Sequence, residues 1–396
     1  MELTQKQKEG LEIALNRYLE GDRYTIISGY AGTGKSTLVS HLIEALPGVN
    51  PEKDVIFTSF TGKATQVLAK KGNKNTSTLH RLLFKSVPRP DGTFARIPVP
   101  HIPYKVVVVD EISMATKSLI SRLMNYNVYV IGLGDPFQLP PVEKNEDNHL
   151  LDSPHVFLDE IMRQAAESEI IQLTMKIRNG EPIPYMKGKE VQVIKKDELN
   201  TGMLFWADQV LVATNNTRAS INAEMRKLMG RGETPEDGDK VICCRNYWEI
   251  LASNESPLIN GTIGTLKDSF LSFNRIPGFF FPDHLPHDIN ILNATFVGDC
   301  GESYGALHMD NKMILEGVKT LDWKTEYRIA NNKKYSHLLP LEFTYAYAIT
   351  AHKSQGSEWD KVLVIEERFP FSQEEHARWL YTACTRAAEK LVLVRP

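Results

Sequence analysis

Cysteine is scarce in this chain of 396 residues: there are four, Cys243, Cys244, Cys300 and Cys384. None forms a Cys-x-x-Cys pair or a zinc-ligand spacing, so a disulfide framework and a zinc site are both poor readings. Four thiols used as small buried apolar residues fit a reducing cytoplasm. A strong charge of either sign is also missing. Lys plus Arg number 46 and Asp plus Glu 49, a net charge of −3, which excludes a polycationic tail binder but not a local basic groove. No apolar run approaches the roughly 18 residues of a membrane span, and the opening MELTQKQKEG lacks the apolar stretch of a signal peptide. Repeats at 20–50 residue spacing and low-complexity tracts are absent. What remains is ordinary globular material, 42% hydrophobic and 24% charged. At about 150 residues per domain the length predicts two or three domains.

The first 180 residues alternate short apolar runs with helical patterns. Strands are expected at 25–29, 55–60, 105–111 and 128–135, and helices at 36–46 and 62–71. Strands alternating with helices imply a parallel, doubly wound sheet covered on both faces. Residues 84–104 break the rhythm with five prolines around Asp91-Gly92, the signature of a small protruding hairpin confined to an edge. Residues 246–339 break it again with Asn, Gly, Pro, aromatics and short strand runs such as GTIGTL, FLSFN and DINILNATFVG, read as a β-rich insertion. On either side, QVLVATNN (209–216), KVLVIEE (361–367) and KLVLVRP (390–396) restore α/β character. The expected architecture is α/β, two parallel-sheet domains each carrying an insertion.

Gly29-Tyr30-Ala31-Gly32-Thr33-Gly34-Lys35-Ser36 matches G-x-x-x-x-G-K-[ST] between an expected strand and helix. Its glycines let backbone N–H groups curl onto phosphate oxygens, aided by the helix N-terminus. Lys35 is the expected β/γ-phosphate contact of ATP, and Ser36 an expected Mg²⁺ ligand. The run VVVVDE (106–111) ejects Asp110 and Glu111 at the strand's carboxyl end, the edge where open α/β sheets bind ligands. Asp110 is the expected metal carboxylate and Glu111 the expected general base for an attacking water. In LGDPFQLPPV (133–142), Asp135 ends another strand and Gln138 sits on a proline-stiffened turn able to aim its amide at the γ-phosphate or its water.

Taken with these, LTQKQ (3–7), GYAGTGKST (29–37), FTSFTGKAT (57–65), TSTLHRLL (77–84), VVVVDEISM (106–114), GLGDPFQLPPV (132–142), LDEIMRQ (158–164), MKIRNG (175–180), AYAITAHKSQGSEWDKVLV (346–364) and LYTACTRA (380–387) follow one another in order. This series resembles the motifs of superfamily 1 helicases of the RecD/Dda-like class over residues 3 to 394. Motifs V and VI, the last two blocks, are the most diagnostic, because P-loop kinases and small GTPases lack both. The resemblance implies two RecA-like domains, with a hairpin insertion at 84–104 and a small SH3-like barrel at 246–339. The first domain would be 1–165, and the second 166–245 together with 340–396. Gln7 is implied as the adenine reader, Thr37 as part of the nucleotide loop, and Arg163 and Arg386 as arginines reaching the γ-phosphate. Gly356 and Glu358 are implied near the phosphates and the ribose.

The resemblance also implies an ATP- and Mg²⁺-dependent helicase moving on single-stranded DNA, 5′-to-3′, and opening duplex. An RNA-directed motor of the same superfamily and a nucleotide-gated strand-binding ATPase without unwinding stay open as alternatives. Implied partners are single-stranded DNA and single/double-strand junctions, with replication or recombination proteins as candidates, in a cytoplasmic monomer. Residues 61–105 carry nine basic side chains and one acidic, +8 on a chain of −3, a plausible phosphate-backbone footprint or a solvated face. Candidate strand contacts are Phe60, Thr61, Lys63, His80, Thr350, His352 and Lys353. Phe84 and Phe94 flank the Asp91-Gly92 turn, where an aromatic could wedge a duplex junction or pack the hairpin on its own domain.

Overall fold

Four consecutive valines, 106–109, form the centre of a six-stranded parallel sheet. Its order is Thr76–Thr78, Val55–Ser59, Val106–Val109, Tyr129–Gly134, Tyr24–Gly29, Val156–Leu158. Successive side chains leave a strand on opposite faces. Val106 and Val108 therefore pack with Leu38 and Leu42, while Val107 and Val109 pack with Leu79, Leu119 and Leu123. Both faces are covered, which is why the strand shows no polar alternation. The helix Lys35–Ala45 buries Leu38, Val39, Leu42 and Ile43 along one stripe. These elements, and the helix Gly62–Lys70, lie where the periodicity places them.

This computed structural model describes residues 3–88, 94–139, 148–252, 256–368 and 372–396. They fall into two compact units. One comprises Met1–Phe84, Pro98–Ala213 and Thr350–Pro396, and the other Lys85–Ile97 and Thr214–Ile349. The first unit holds the sheet above and a second one in which Gln209–Val212, Trp359–Ile365, Ala387–Arg395 and Val191–Lys195 run parallel, with Met186–Lys187 antiparallel beside the last. Both nucleotide-type sheets thus belong to one unit. Among the described residues no helix is long and apolar enough to cross a membrane.

The second unit is built on an antiparallel sheet, Ser303–Asp310, His287–Gly298, Ile263–Ile276, Lys240–Cys243, Phe343–Tyr345. The described residues form no closed barrel of the expected small SH3-like kind: the margins of the sheet meet at one parallel bridge, Met309 with Leu341, and not along a ladder. One expectation needs correction here. The runs GTIGTL and FLSFN are not two short strands but one strand of 14 residues. Its register slips between Lys267 and Phe270, where Asp268 takes φ 51°. This is a bulge that lets the ladder continue through a polar stretch that reads as a turn. The insertion also contains two helices, Asn311–Glu316 and Trp323–Ala330, each started by an aspartate side chain, Asp310 and Asp322, capping the first turn. The strands Phe84–Pro88 and Phe94–Pro98 pair as a separate ribbon; the expected Asp91-Gly92 turn lies outside the described residues.

Cys243 and Cys384 are buried, Cys244 and Cys300 only partly.

Candidate active site

Three strand ends build the site. Tyr24–Gly29, Tyr129–Gly134 and Val106–Val109 are adjacent and parallel, so the loops leaving their carboxyl ends share one edge of the sheet. The first is the phosphate loop. Gly32 and Gly34 both take φ 77°, a left-handed backbone that costs little only without a Cβ. A Cβ on Gly34 would also stand 2.3 Å from the Gln7 amide nitrogen and from the Met162 sulfur. The loop is braced from outside: Met162 N–H donates to the Gly32 carbonyl (3.0 Å). Lys35 Nζ donates to the Gly29 (2.7 Å) and Tyr30 (3.0 Å) carbonyls.

A cavity of about 370 Å³ opens on this loop, lined by Lys35, Ser36, Asp110, Glu111, Gly356, Glu358 and Arg386 among others. With Ala31 and Gly32 of the loop, nine of the residues singled out from the sequence are therefore brought together. Asp110 is held by the Glu111 N–H, which donates to its Oδ1 (3.0 Å). Burial, and then Glu111 beside it, push the Asp110 carboxyl above the ordinary carboxylate range. Among the described residues no Lys or Arg lies within ion-pair distance of it. Lys35 and Lys71 act against that shift without pairing with it; a carboxylate and a hydroxyl on one cavity wall are hard oxygen donors of the kind a divalent ion takes, so Ser36 and Asp110 fit the metal role.

Glu111 itself sits at φ 55°, a left-handed backbone rare for a side chain with a Cβ. This bend turns its carboxylate toward the second sheet. Arg386 Nη1 donates to Glu111 Oε1 (3.3 Å). The Gln138 amide, oriented by its neighbours, lies between them: its nitrogen reaches Glu111 Oε2 (2.9 Å) and its oxygen accepts from Arg386 Nη2 (3.0 Å). Arg386 is only 5% exposed and is fixed by the Thr382 carbonyl (3.1 Å), the Ser357 carbonyl (3.4 Å) and Thr385 Oγ1 (3.2 Å). An acid–base candidate, an amide and a guanidinium thus meet at one corner of the cavity.

One helix face carries this corner. Arg378, Tyr381, Thr382, Thr385 and Arg386 recur at i, i+3, i+4, i+7 and i+8 along and just past the helix Gln373–Cys384, so they share a side. Arg378 Nη1 donates to the Pro136 carbonyl (2.9 Å). Thr382 Oγ1 accepts from Leu139 N–H (2.9 Å). Tyr381, which sequence reasoning missed, donates its hydroxyl to Asp135 Oδ2 (2.6 Å) and accepts from the Ala31 N–H of the phosphate loop (2.9 Å). Burial pushes both Asp135 and Tyr381 up, so the phenol stays a proton donor across the physiological range. The one-face spacing of Tyr381, Thr382, Thr385 and Arg386 is the signal for it in LYTACTRA.

Other expected residues are placed differently. Gln7 is buried and both ends of its amide are spent within the chain: Oε1 accepts from Thr4 N–H (2.9 Å) and Nε2 donates to the Thr33 carbonyl (3.2 Å). It is not among the residues lining the cavity, and it braces the loop. Tyr30 lies under the Arg178 guanidinium, 3.8 Å from its ring centre. Arg163 opens the short helix Arg163–Ala166; its side chain, like those of Lys63 and Phe94, lies outside the described residues. Thr61 caps the helix Gly62–Lys70, accepting from Ala64 N–H, and donates to the Gly356 carbonyl (3.1 Å). Thr350 caps the turn Ala351–Ser354. Phe60 and Phe84 pack against the apolar cluster beneath the sheet, and Arg122 lies over the Phe84 ring at 5.5 Å. His80, His352 and Lys353 are half-buried, and burial lowers the pKa of His352.

Comparison with known proteins gives a consistent assignment. The AAA domain family matches residues 2–197, and the UvrD-like helicase C-terminal domain matches 345–394. The ATP-dependent RecD2 DNA helicase of Deinococcus radiodurans is 26% identical over 98% of this chain and 49% of its own length. The ATP-dependent DNA helicase dda of Enterobacteria phage T4 is 31% identical over 45% of this chain and 43% of its own. The chain belongs to the RecD/Dda-like superfamily 1 helicases. It spans about half the length of these two relatives. An uncharacterized protein of Acanthamoeba polyphaga mimivirus, R530, is 31% identical with 92% of this chain and 93% of that protein covered. Among solved structures, the Bacteroides Pif1 helicase in complex with ADP-AlF3 and ssDNA shares the fold of this RecD/Dda-like chain. It covers 99% of the chain and 92% of its own, with a TM-score of 0.50 at 19% identity.

Proposed function

We propose that this chain is an ATP-dependent DNA helicase that moves along single-stranded DNA, 5′-to-3′, and separates duplex at a junction. The observation that carries the reading is the meeting of Glu111, Gln138 and Arg386 beside the phosphate loop. A site built only to hold a nucleotide needs the loop; a base, a water-orienting amide and an in-cis arginine are what cleavage needs. The similarity to RecD2 and Dda, both ATP-dependent DNA helicases, supports it.

In this reading the loop N–H groups and Lys35 hold the β- and γ-phosphates of ATP. Mg²⁺, when bound, neutralises charge on the phosphate oxygens, and Ser36 with Asp110 would hold it. Among the described residues no group of three or more His, Cys, Asp or Glu side chains could hold a metal by itself. Glu111 accepts the proton of the attacking water, Gln138 orients that water, and Arg386 turns its guanidinium to the charge developing on the γ-phosphoryl oxygens. Because Arg386 and Glu111 hang from different sheets, hydrolysis is felt by both. Alternation of grip by the two sheets' outer loops then moves a strand.

The test is ATP turnover with and without oligonucleotide, then strand displacement on matched 5′-tailed and 3′-tailed duplexes of DNA and RNA. Turnover stimulated by single-stranded DNA and opening of the 5′-tailed DNA duplex is expected. Stimulation without displacement points to a strand-binding ATPase, and preference for the RNA duplex to an RNA motor. Turnover indifferent to any oligonucleotide overturns the motor.

A further inference from the structure

On the helix Asn215–Leu228 of the second unit, two arginines share a face eight residues apart, Arg218 and Arg226, and both are more than nine-tenths buried. Their surroundings differ. Arg226 donates through Nε to the buried carboxylate of Asp239 (3.1 Å) and through Nη2 to the Thr234 carbonyl (2.7 Å). Arg218 makes one hydrogen bond, from Nη1 to Thr344 Oγ1 (3.0 Å). Its Nε is buried with no acceptor, and among the described residues no carboxylate lies within ion-pair distance. Burial accordingly lowers its pKa. A buried cation without a counter-charge is among the costliest arrangements a fold can carry.

Arg218 also lines a cavity of about 260 Å³. Gly317 closes one side at φ 73°; a Cβ there would stand 3.3 Å from Arg218 Nη2, so the absent side chain keeps that edge of the guanidinium clear. Ala219 and Ala223 leave the floor low, and the two carboxylates in the lining, Glu233 and Glu316, belong to exposed residues. A planar guanidinium with free N–H donors facing a small cavity matches an oxyanion.

We propose that the cavity walled by Arg218, Thr344 and Gly317 binds one oxyanion of the phosphate class, either free phosphate or a single phosphodiester of a nucleic-acid backbone. The anion supplies the charge the fold leaves out, accepting from Nη2 of Arg218. The acidic rim favours the less charged of the two, the monoanionic diester. This site is separate from the ATP cavity and does not depend on the hydrolytic reading above.

The experiment uses the full chain and Arg218→Met, with Arg218→Lys as a second variant that keeps the charge but loses the fork. Thermal unfolding is followed in chloride and in inorganic phosphate at matched ionic strength. A phosphate-dependent rise in the midpoint of the wild type that either variant lacks supports the site with free phosphate. Binding of an oligothymidylate across a salt series tests the diester. Losing one backbone contact lowers the slope of log K against log salt by about 0.7, so a variant slope shallower by that amount supports the site with a nucleic-acid backbone. If neither phosphate nor the oligonucleotide separates the wild type from a folded variant, Arg218 is a structural cation only and the proposal is overturned.

Discussion

The phosphate edge and the candidate strand contacts use the same kinds of side chain for opposite ends. At the phosphate edge, Glu111, Gln138 and Arg386 satisfy one another beside a cavity, and Asp110 has Lys35 and Lys71 near it but neither at ion-pair distance among the described residues. At the candidate strand contacts, Thr61 and Thr350 cap the elements that follow them, and Phe60 and Phe84 pack on the core. The first set is arranged around a space and the second around the fold. A motif's polar residues therefore mean different things according to whether they border a cavity or cap an element.

Substitutions can break or sharpen that contrast. The largest effect is expected for Arg386→Ala, a loss of about 10³–10⁵ in strand-stimulated ATP turnover; turnover within tenfold of the wild type would put Arg386 among the structural residues. Glu111→Gln is expected to cost about 10²–10⁴ in turnover while a fluorescent ATP analogue still binds. Tyr381→Phe keeps the ring edge against Phe137 but strips the bridge between Ala31 and Asp135. A destabilisation of about 1–3 kcal/mol is expected from the orphaned carboxylate, read from urea midpoints. Thr61→Ala and Thr350→Ala are expected to lose about 1 kcal/mol each as caps with oligonucleotide affinity held within threefold. A larger loss of affinity would move those threonines to the other side of the contrast.

The smallest effect concerns pH. Because the folded-state pKa of His352 lies below its ordinary value of 6.5, the unfolded chain binds the proton first as pH falls. Stability from this group is complete above about 6.5 and declines below it. His155, also lowered by burial, acts in the same direction. The difference between wild type and His352→Gln, in urea midpoints at pH 8 and pH 5.5, isolates His352.

Four of the six strands of the first sheet could be read because they are short apolar runs set between helical patterns; Thr76–Thr78 and Val156–Leu158, three residues each, are too short to carry a pattern. The loop, Asp110 and Glu111 could be read for a related reason: each follows directly on such a run, so the strand fixes where it emerges, and Gln138 lies on the turn that follows another. Tyr381 escaped because its role is set by Ala31 and Asp135, 350 and 246 residues away in the chain. In the insertion, the polar stretch Lys267-Asp268-Ser269 separates GTIGTL from FLSFN, and nothing local shows that one strand continues through it as a bulge. The helix Trp323–Ala330 leaves Trp323 and Tyr327 exposed, so no apolar stripe announced it; the Asp322 cap was the signal present. Whether the sheet closes depends on how its margins meet, here at the single bridge of Met309 with Leu341, and local pattern carries no information about that.

The single face shared by Arg378, Tyr381, Thr382 and Arg386 has a mechanical consequence. A helix of three turns is a stiff rod, and its attachments to Pro136, Asp135, Leu139 and Glu111 lie in a row along it. Rolling the rod by a fraction of a turn would strain all four together, so they behave as one latch with a sharp threshold rather than four graded springs.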